Sequence, residues 1–224
     1  AINSFNQALD LNSIVLDAEY FLDFFEIEDQ YLDELINALQ INNKIDTLNT
    51  SNNFLLSLCY NQKENSDSSL FYMKNFLKFN DNHILAMIMI GNYYSKNKDW
   101  LNSLEYYQKV VWIENDNIIA LNGVSFALYN LNNFENSILG YEKILLYDPY
   151  YYESFYYLGK INIKLENYDL AIPKLTQALM LNPENSDIYF NLGLAYMNTN
   201  RLVQAMDAFN RSVKLYSENG EAYY

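Results

Sequence analysis

Side-chain size along this chain repeats every 34 residues, and that constrains its fold more than any other feature. Stepping back by 34 from Gly193 gives Gly159, Ser125, Gly91 and Ser57, all small. The same step from Ala205 gives Ala171, Ser137, Ser103 and Ser69, small again. Phe209 maps to Leu175, Tyr141, Tyr107 and Met73, all large, and Leu192 to Leu158, Val124, Ile90 and Leu56, all aliphatic. Leu202 maps to Tyr168, Phe134 and Trp100, and the column fails at Ser66; Pro183 follows Pro149 at the same interval. A small residue lets two helix backbones approach, and a large one opposite fills the space.

Each period holds two amphipathic helical stretches. In the last, Tyr189, Leu192, Gly193 and Tyr196 share one face of a first helix. Ala205, Phe209 and Ser212 share a face of a second, with Asn198-Thr199-Asn200 as the turn between them. Neither apolar stripe is wide enough for a helix to fold alone, so the two must pack antiparallel and bury each other. Proline after the second helix stops it and sets the turn into the next hairpin.

The pattern resembles the tetratricopeptide repeat family, a 34-residue helix–turn–helix with the motif W-x2-L-G-x2-Y…A-x3-F…P, carried in the last repeat by Tyr189, Leu192, Gly193, Tyr196, Ala205 and Phe209. The implied fold is all-α: a right-handed α-solenoid of antiparallel helix–turn–helix repeats. We expect a single array over residues 1–224. Residues 1–15 read as the end of a truncated repeat, with Ala1, Phe5 and Ala8 on second-helix columns and Ser13 at the proline position. Residues 16–49 form a degenerate repeat, in which Leu22, Tyr31, Leu35, Ala38 and Leu39 keep a helical period. There Asp23 and Leu35 occupy the small columns, and 43–49 read as a loop. Five regular repeats follow at 50–83, 84–117, 118–151, 152–185 and 186–219, and 220–224 opens a truncated repeat. The expectation is a fragment of a longer array. Asn65, Asp99 and Asn167 precede second helices as caps, with Ser66 and Asp67 beside the first of them. Pro173 lies past the first turn of its helix, where a slight bend on an exposed face is expected.

Charge and composition narrow the function. The chain carries a net −14 over 224 residues, and residues 1–49 alone hold ten acids against one base, Lys44. That balance argues against nucleic-acid backbones and anionic membranes as partners. The lone cysteine, Cys59, has apolar neighbours and reads as an inert core thiol. The lone histidine, His83, has no partner at metal-ligand or triad spacing and reads as a surface or capping residue. Gly91, Gly159 and Gly193 are packing residues in one column, not a phosphate loop. No catalytic residue, cofactor or metal site is expected, and the chain is not read as an enzyme. No apolar run approaches the ~20 residues of a membrane helix and no secretory signal opens the chain, so membrane insertion is not expected and a cytoplasmic protein is.

The resemblance also implies where a partner would sit, because in the family the first helices of successive hairpins line a concave groove. Carried onto this sequence, that groove shows Phe54, Leu58 and Asn61, then Ile88, Asn92 and Lys96, then Asn122, Phe126 and Tyr129. Tyr156, Lys160 and Lys164 come next, and Phe190, Asn191, Leu194 and Asn198 last. The family's carboxylate-clamping pattern is not matched, since Ile88, Phe126, Tyr156 and Phe190 stand at such positions. Of the asparagine ladder used before sugar-transferring enzymes only Asn191 fits, with Met89, Gly123 and Tyr157 elsewhere. What remains suits an extended or helical apolar peptide with aromatic anchors. The expected function is a scaffold or adaptor that binds a partner protein or peptide. The alternatives are the substrate-recognition arm of a larger enzyme, such as a glycosyltransferase, and a self-assembling protein joined through its array ends or through Tyr150, Tyr151 and Tyr152.

Overall fold

The computed structural model describes residues 29–45 and 50–221; expectations for 1–28, 46–49 and 222–224 lie outside the described residues. Among the described residues there are eleven helices and no strand. Their contacts divide into two units, Ala1–Leu85 and Ala86–Tyr224, with the division inside the first turn of α4.

The first unit contains α1 (Asp29–Ile45), α2 (Ser51–Gln62) and α3 (Ser66–Leu77). Its α1 buries Leu32, Ile36 and Leu39, three aliphatics at helical spacing, against Leu55, Leu56 and Cys59 of α2. Leu35, which breaks the small column, is only half-buried, so the degenerate repeat packs through Leu32 and Ile36 instead. The helix also continues to Ile45, into the segment expected to be loop. Cys59 is buried, and burial pushes its thiol up to about 11, consistent with an inert core cysteine. His83 is not a surface residue: it is half-buried between the rings of Phe54 and Phe76, with centroids 5.1 and 4.9 Å away.

The second unit runs through four hairpins: α4 (Ile84–Lys96) with α5 (Trp100–Ile113), α6 (Ile118–Asn130) with α7 (Phe134–Tyr147), α8 (Tyr152–Lys164) with α9 (Tyr168–Leu181), and α10 (Ser186–Asn198) with α11 (Leu202–Glu221). First helices start at 84, 118, 152 and 186 and second helices at 100, 134, 168 and 202, the period read from the columns. Each second helix packs on the next first helix, α5 on α6, α7 on α8 and α9 on α10. The core is therefore a strip. Leu121, Tyr141, Ile144, Leu158 and Ile161 form one stretch of it; Ala171, Leu175, Ala178, Ile188, Leu192 and Ala195 form another.

The columns meet as their sizes require. A Cβ on Gly193 would stand 2.6 Å from the Phe209 ring, and one on Gly159 would stand 2.5 Å from Leu175 Cγ. The second small column does more than make room. Ser69, Ser103 and Ser137 donate their hydroxyls to the carbonyls of Ser57, Gly91 and Ser125, at 2.8, 3.1 and 2.8 Å, each twelve residues back. These bonds pin the two helices of a hairpin at one height.

The turns inside the hairpins share one backbone device. Glu64, Lys98, Asn132, Glu166 and Asn200, spaced 34 apart, all have φ between 56° and 60°. Each residue's N–H reaches the carbonyl three back, and the next residue's N–H the carbonyl five back, as in Lys98 to Ser95 and Asp99 to Tyr94. This is the Schellman closure of a helix C-terminus, here made without a single glycine. The following residue then caps the second helix. Asn65, Asp99 and Asn133 accept from the N–H three residues on, whereas the Asn167 side chain accepts no such bond. Helix α9 runs unbroken through Pro173, which is exposed.

Candidate functional site

In the second unit the first helices bring one residue per repeat into each of two rows. One row is Asn92, Phe126, Lys160 and Leu194; the other is Ile88, Asn122, Tyr156 and Phe190. Ile88 is buried, and so is Leu58 on α2 of the first unit, while Phe54 is half-buried against Phe76 at 5.0 Å. Lys96, Lys164 and Phe190 are exposed, and Asn191 and Leu194 are half-buried. The Asn191 amide donates to the Asp187 carbonyl at 2.7 Å on its own helix.

The rows converge on an aromatic box between α6 and α8. Phe126 stands edge-on to Trp100 at 5.5 Å and to Tyr157 at 5.4 Å. Tyr157 also meets Tyr129 at 5.4 Å and Tyr156 at 5.1 Å, and stacks on Tyr141 at 5.2 Å. The Lys160 ammonium lies over the rings of Tyr129, Tyr156 and Tyr157, at 5.4, 5.0 and 5.3 Å from their centroids. Burial lowers the lysine's pKa from its ordinary value, and the negative charge of Asp187 works in the other direction. Among the described residues this ammonium makes no hydrogen bond and no ion pair. Burial also raises the phenols, Tyr157 up to about 12 and Tyr129 and Tyr156 upward, so all three remain neutral walls at ordinary pH.

Two polar atoms near this box lack partners. Asn122 Oδ1 is turned away from solvent and meets no donor, and the Tyr141 hydroxyl is likewise unpaired. The phenol's isolation has a sequence cause. Its counterpart one repeat earlier, Tyr107, donates to Oδ1 of Asn92. In the next repeat Phe126 takes the place of Asn92 and offers no acceptor.

Sequence reasoning named Phe126, Tyr129, Tyr156 and Lys160, and the structure brings these four together. Tyr156 is the most buried of them, 9% exposed, and packs into the core with Ile172 and Ile188. Sequence reasoning missed Trp100 and Tyr157. The first was read only as a helix-start column, and the second only as a failed ladder position. It also missed an exposed apolar series on the second helices, Trp112, Leu146 and Met180, whose 34-residue spacing was the available signal.

Chemically the cluster offers aromatic ring surface and one ammonium group. Among the described residues no three His, Cys, Asp or Glu side chains gather as a metal site, and no helix is long and apolar enough to cross a membrane.

Comparisons agree with this architecture. A family model described as "Tetratricopeptide repeat" matches residues 156–220. A UDP-N-acetylglucosamine–peptide N-acetylglucosaminyltransferase of Giardia intestinalis is 29% identical over 177 residues, covering 75% of this chain but 12% of that protein. The crystal structure of MamA superposes with a TM-score of 0.67 at 17% identity, over 77% of this chain and 94% of that one. YrrB, described as a TPR protein with an unusual peptide-binding site, superposes with a TM-score of 0.64 at 12% identity, over 80% of this chain and 93% of that one. At such identities the two structures speak for the fold alone. Period, column chemistry and hairpin architecture agree with these likenesses: the described residues have the fold of tetratricopeptide-type helical hairpins, and residues 156–220 match the tetratricopeptide repeat model.

Proposed function

We propose that this chain is a protein-interaction scaffold that holds a partner peptide along the first helices of its second unit. The observation that carries the reading is the aromatic box of Phe126, Tyr129, Tyr156 and Tyr157 around a half-buried Lys160 without an ion-pair partner among the described residues. Aromatic anchors beside a desolvated charge are what binding hot spots are made of. The orphan Asn122 Oδ1 supports the same reading, because a donor arriving with a ligand would relieve it after a side-chain rotation. The peptide-binding site described for YrrB supports it by analogy of fold.

The test is affinity capture from the source cells with wild type, Phe126→Ala and Phe190→Ala, each checked for an unchanged melting curve. Phe190, 48% exposed, is the safer probe, since truncating the buried Tyr156 would disturb the core. A partner captured by wild type and lost with both variants supports the groove. Equal capture by all three overturns it and moves attention to Trp112, Leu146 and Met180.

A second reading has its own support. The 177-residue likeness to a peptide N-acetylglucosaminyltransferase fits a recognition arm that delivers substrates to a catalytic domain. Reading the complete open reading frame tests it, and a transferase domain in that frame is the expected result.

A further inference from the structure

We propose that the box around Lys160 reads a single side-chain carboxylate, an aspartate or glutamate within an extended partner peptide. This rests on the groove reading above and gives that groove a chemical specificity.

The argument begins with hydrogen-bond capacity. A lysine ammonium has three donors, and ring faces attract its charge without accepting conventional hydrogen bonds. Lys160 sits over three rings and has no acceptor among the described residues. Asp187, which acts on it through space, stands in the first turn of α10 and forms no ion pair with it. The tyrosine walls exclude water on one side, where a charge-assisted bond is worth more than in the open. An acceptor with full negative charge is therefore the missing piece.

A carboxylate fits better than a phosphate. A dianion is normally held by an arginine fork or several cations. The box has one lysine; the next, Lys164, is exposed a turn further along α8. The chain's only arginines, Arg201 and Arg211, are paired with Asp169 and Asp207. With Asp187 acting on the site and a net −14 on the chain, a second negative charge on the ligand would be repelled. A side chain fits better than a chain terminus. Phe126 lies one repeat before Lys160 and Leu194 one repeat after, so the ligand has surface to follow on both sides. Apolar residues flanking the acid would meet Phe126 and Tyr129 on one side, Leu194 and Phe190 on the other.

The test is selection of random peptides displayed on phage against the 224-residue chain and its Lys160→Met, Lys160→Arg, Lys160→Glu, Phe126→Ala and Phe190→Ala variants, each verified by its melting curve. Selected sequences are then measured as synthetic peptides with both ends blocked. The expected result is a shared Asp or Glu position, about tenfold or greater loss of affinity with Lys160→Met, retention with Lys160→Arg, and a switch to Lys or Arg at that position when Lys160→Glu is the bait. Peptides lost with Phe126→Ala or Phe190→Ala but indifferent to Lys160→Met leave the groove standing and overturn the carboxylate assignment. It is overturned as well if blocking the C-terminus abolishes binding, or if a phosphoserine analogue binds more tightly than the glutamate peptide. If no peptide is selected, or none depends on either phenylalanine, the groove reading fails and this inference fails with it.

Discussion

The ring of Tyr107 occupies the space that a side chain on Gly123 would need: a Cβ there would stand 2.5 Å from three of its ring carbons. From the other side Gly91 approaches the same ring, with its would-be Cβ at 3.0 Å. One tyrosine, 4% exposed, is thus wedged between glycines of two successive first helices. Alanine in a helix ordinarily outperforms glycine by roughly 1 kcal/mol. Overpacking a rigid ring costs about 1–3 kcal/mol and should win at Gly123. Gly123→Ala is therefore expected to lower stability in urea denaturation, and Gly91→Ala to do so less or not at all. A stabilised Gly123→Ala would show that the ring is free to move.

The two tyrosines of the large column should respond oppositely to losing their hydroxyls. Tyr107 donates to Asn92, so Tyr107→Phe removes a bond and leaves the exposed Asn92 to water, at a cost of about 0.5–1.5 kcal/mol. The Tyr141 hydroxyl is buried without a partner, and Tyr141→Phe removes a desolvation penalty of about 1–3 kcal/mol. Paired denaturation curves should show the first variant weakened and the second unchanged or strengthened. Loss of stability in Tyr141→Phe would mean that this phenol has a partner after all.

The five left-handed turn residues make a third comparison. A side chain with a Cβ in that region pays roughly 1–2 kcal/mol, while asparagine tolerates it better. Glu166→Gly and Lys98→Gly should each stabilise the chain, by about 0.5–1 kcal/mol once glycine's extra unfolded-state entropy is deducted. Asn132→Gly and Asn200→Gly should change little. Differential scanning calorimetry of the four variants tests the order, and equal effects would refute the backbone argument.

These comparisons show where the fold was legible. Column size is a property of single side chains, so Gly159 opposite Leu175 and Gly193 opposite Phe209 could be read off the 34-residue step, and hairpin, period and core followed from them. The turn conformation could not. Glu64, Lys98 and Glu166 carry no left-handed preference; the hydrogen bonds of the finished hairpin impose it. The serine column was legible as small but not as bonded, because a hydroxyl's partner is set by helix register rather than by size. At the candidate site, the row from Phe126 to Lys160 followed from the period. Trp100 and Tyr157 did not, because their contacts run between repeats and depend on how each hairpin leans on the next.

His83 ties the first unit to pH. Its imidazole is half-buried between Phe54 and Phe76, and burial lowers its pKa from the ordinary 6.5. A histidine depressed in the fold binds its proton more readily once unfolded. The unfolded chain therefore takes up more protons as pH falls from about 7 through the ordinary histidine range, and the folded state loses stability over that window until the folded imidazole also protonates. The loss should appear above the range where carboxylates titrate. Replacing His83 by asparagine removes the titration while keeping a polar side chain of similar reach. The wild-type chain should then melt progressively lower between about pH 7 and about pH 5, and His83→Asn should follow a flatter line over the same interval. Parallel lines for the two proteins would assign the pH dependence to groups other than this ring pair and its histidine.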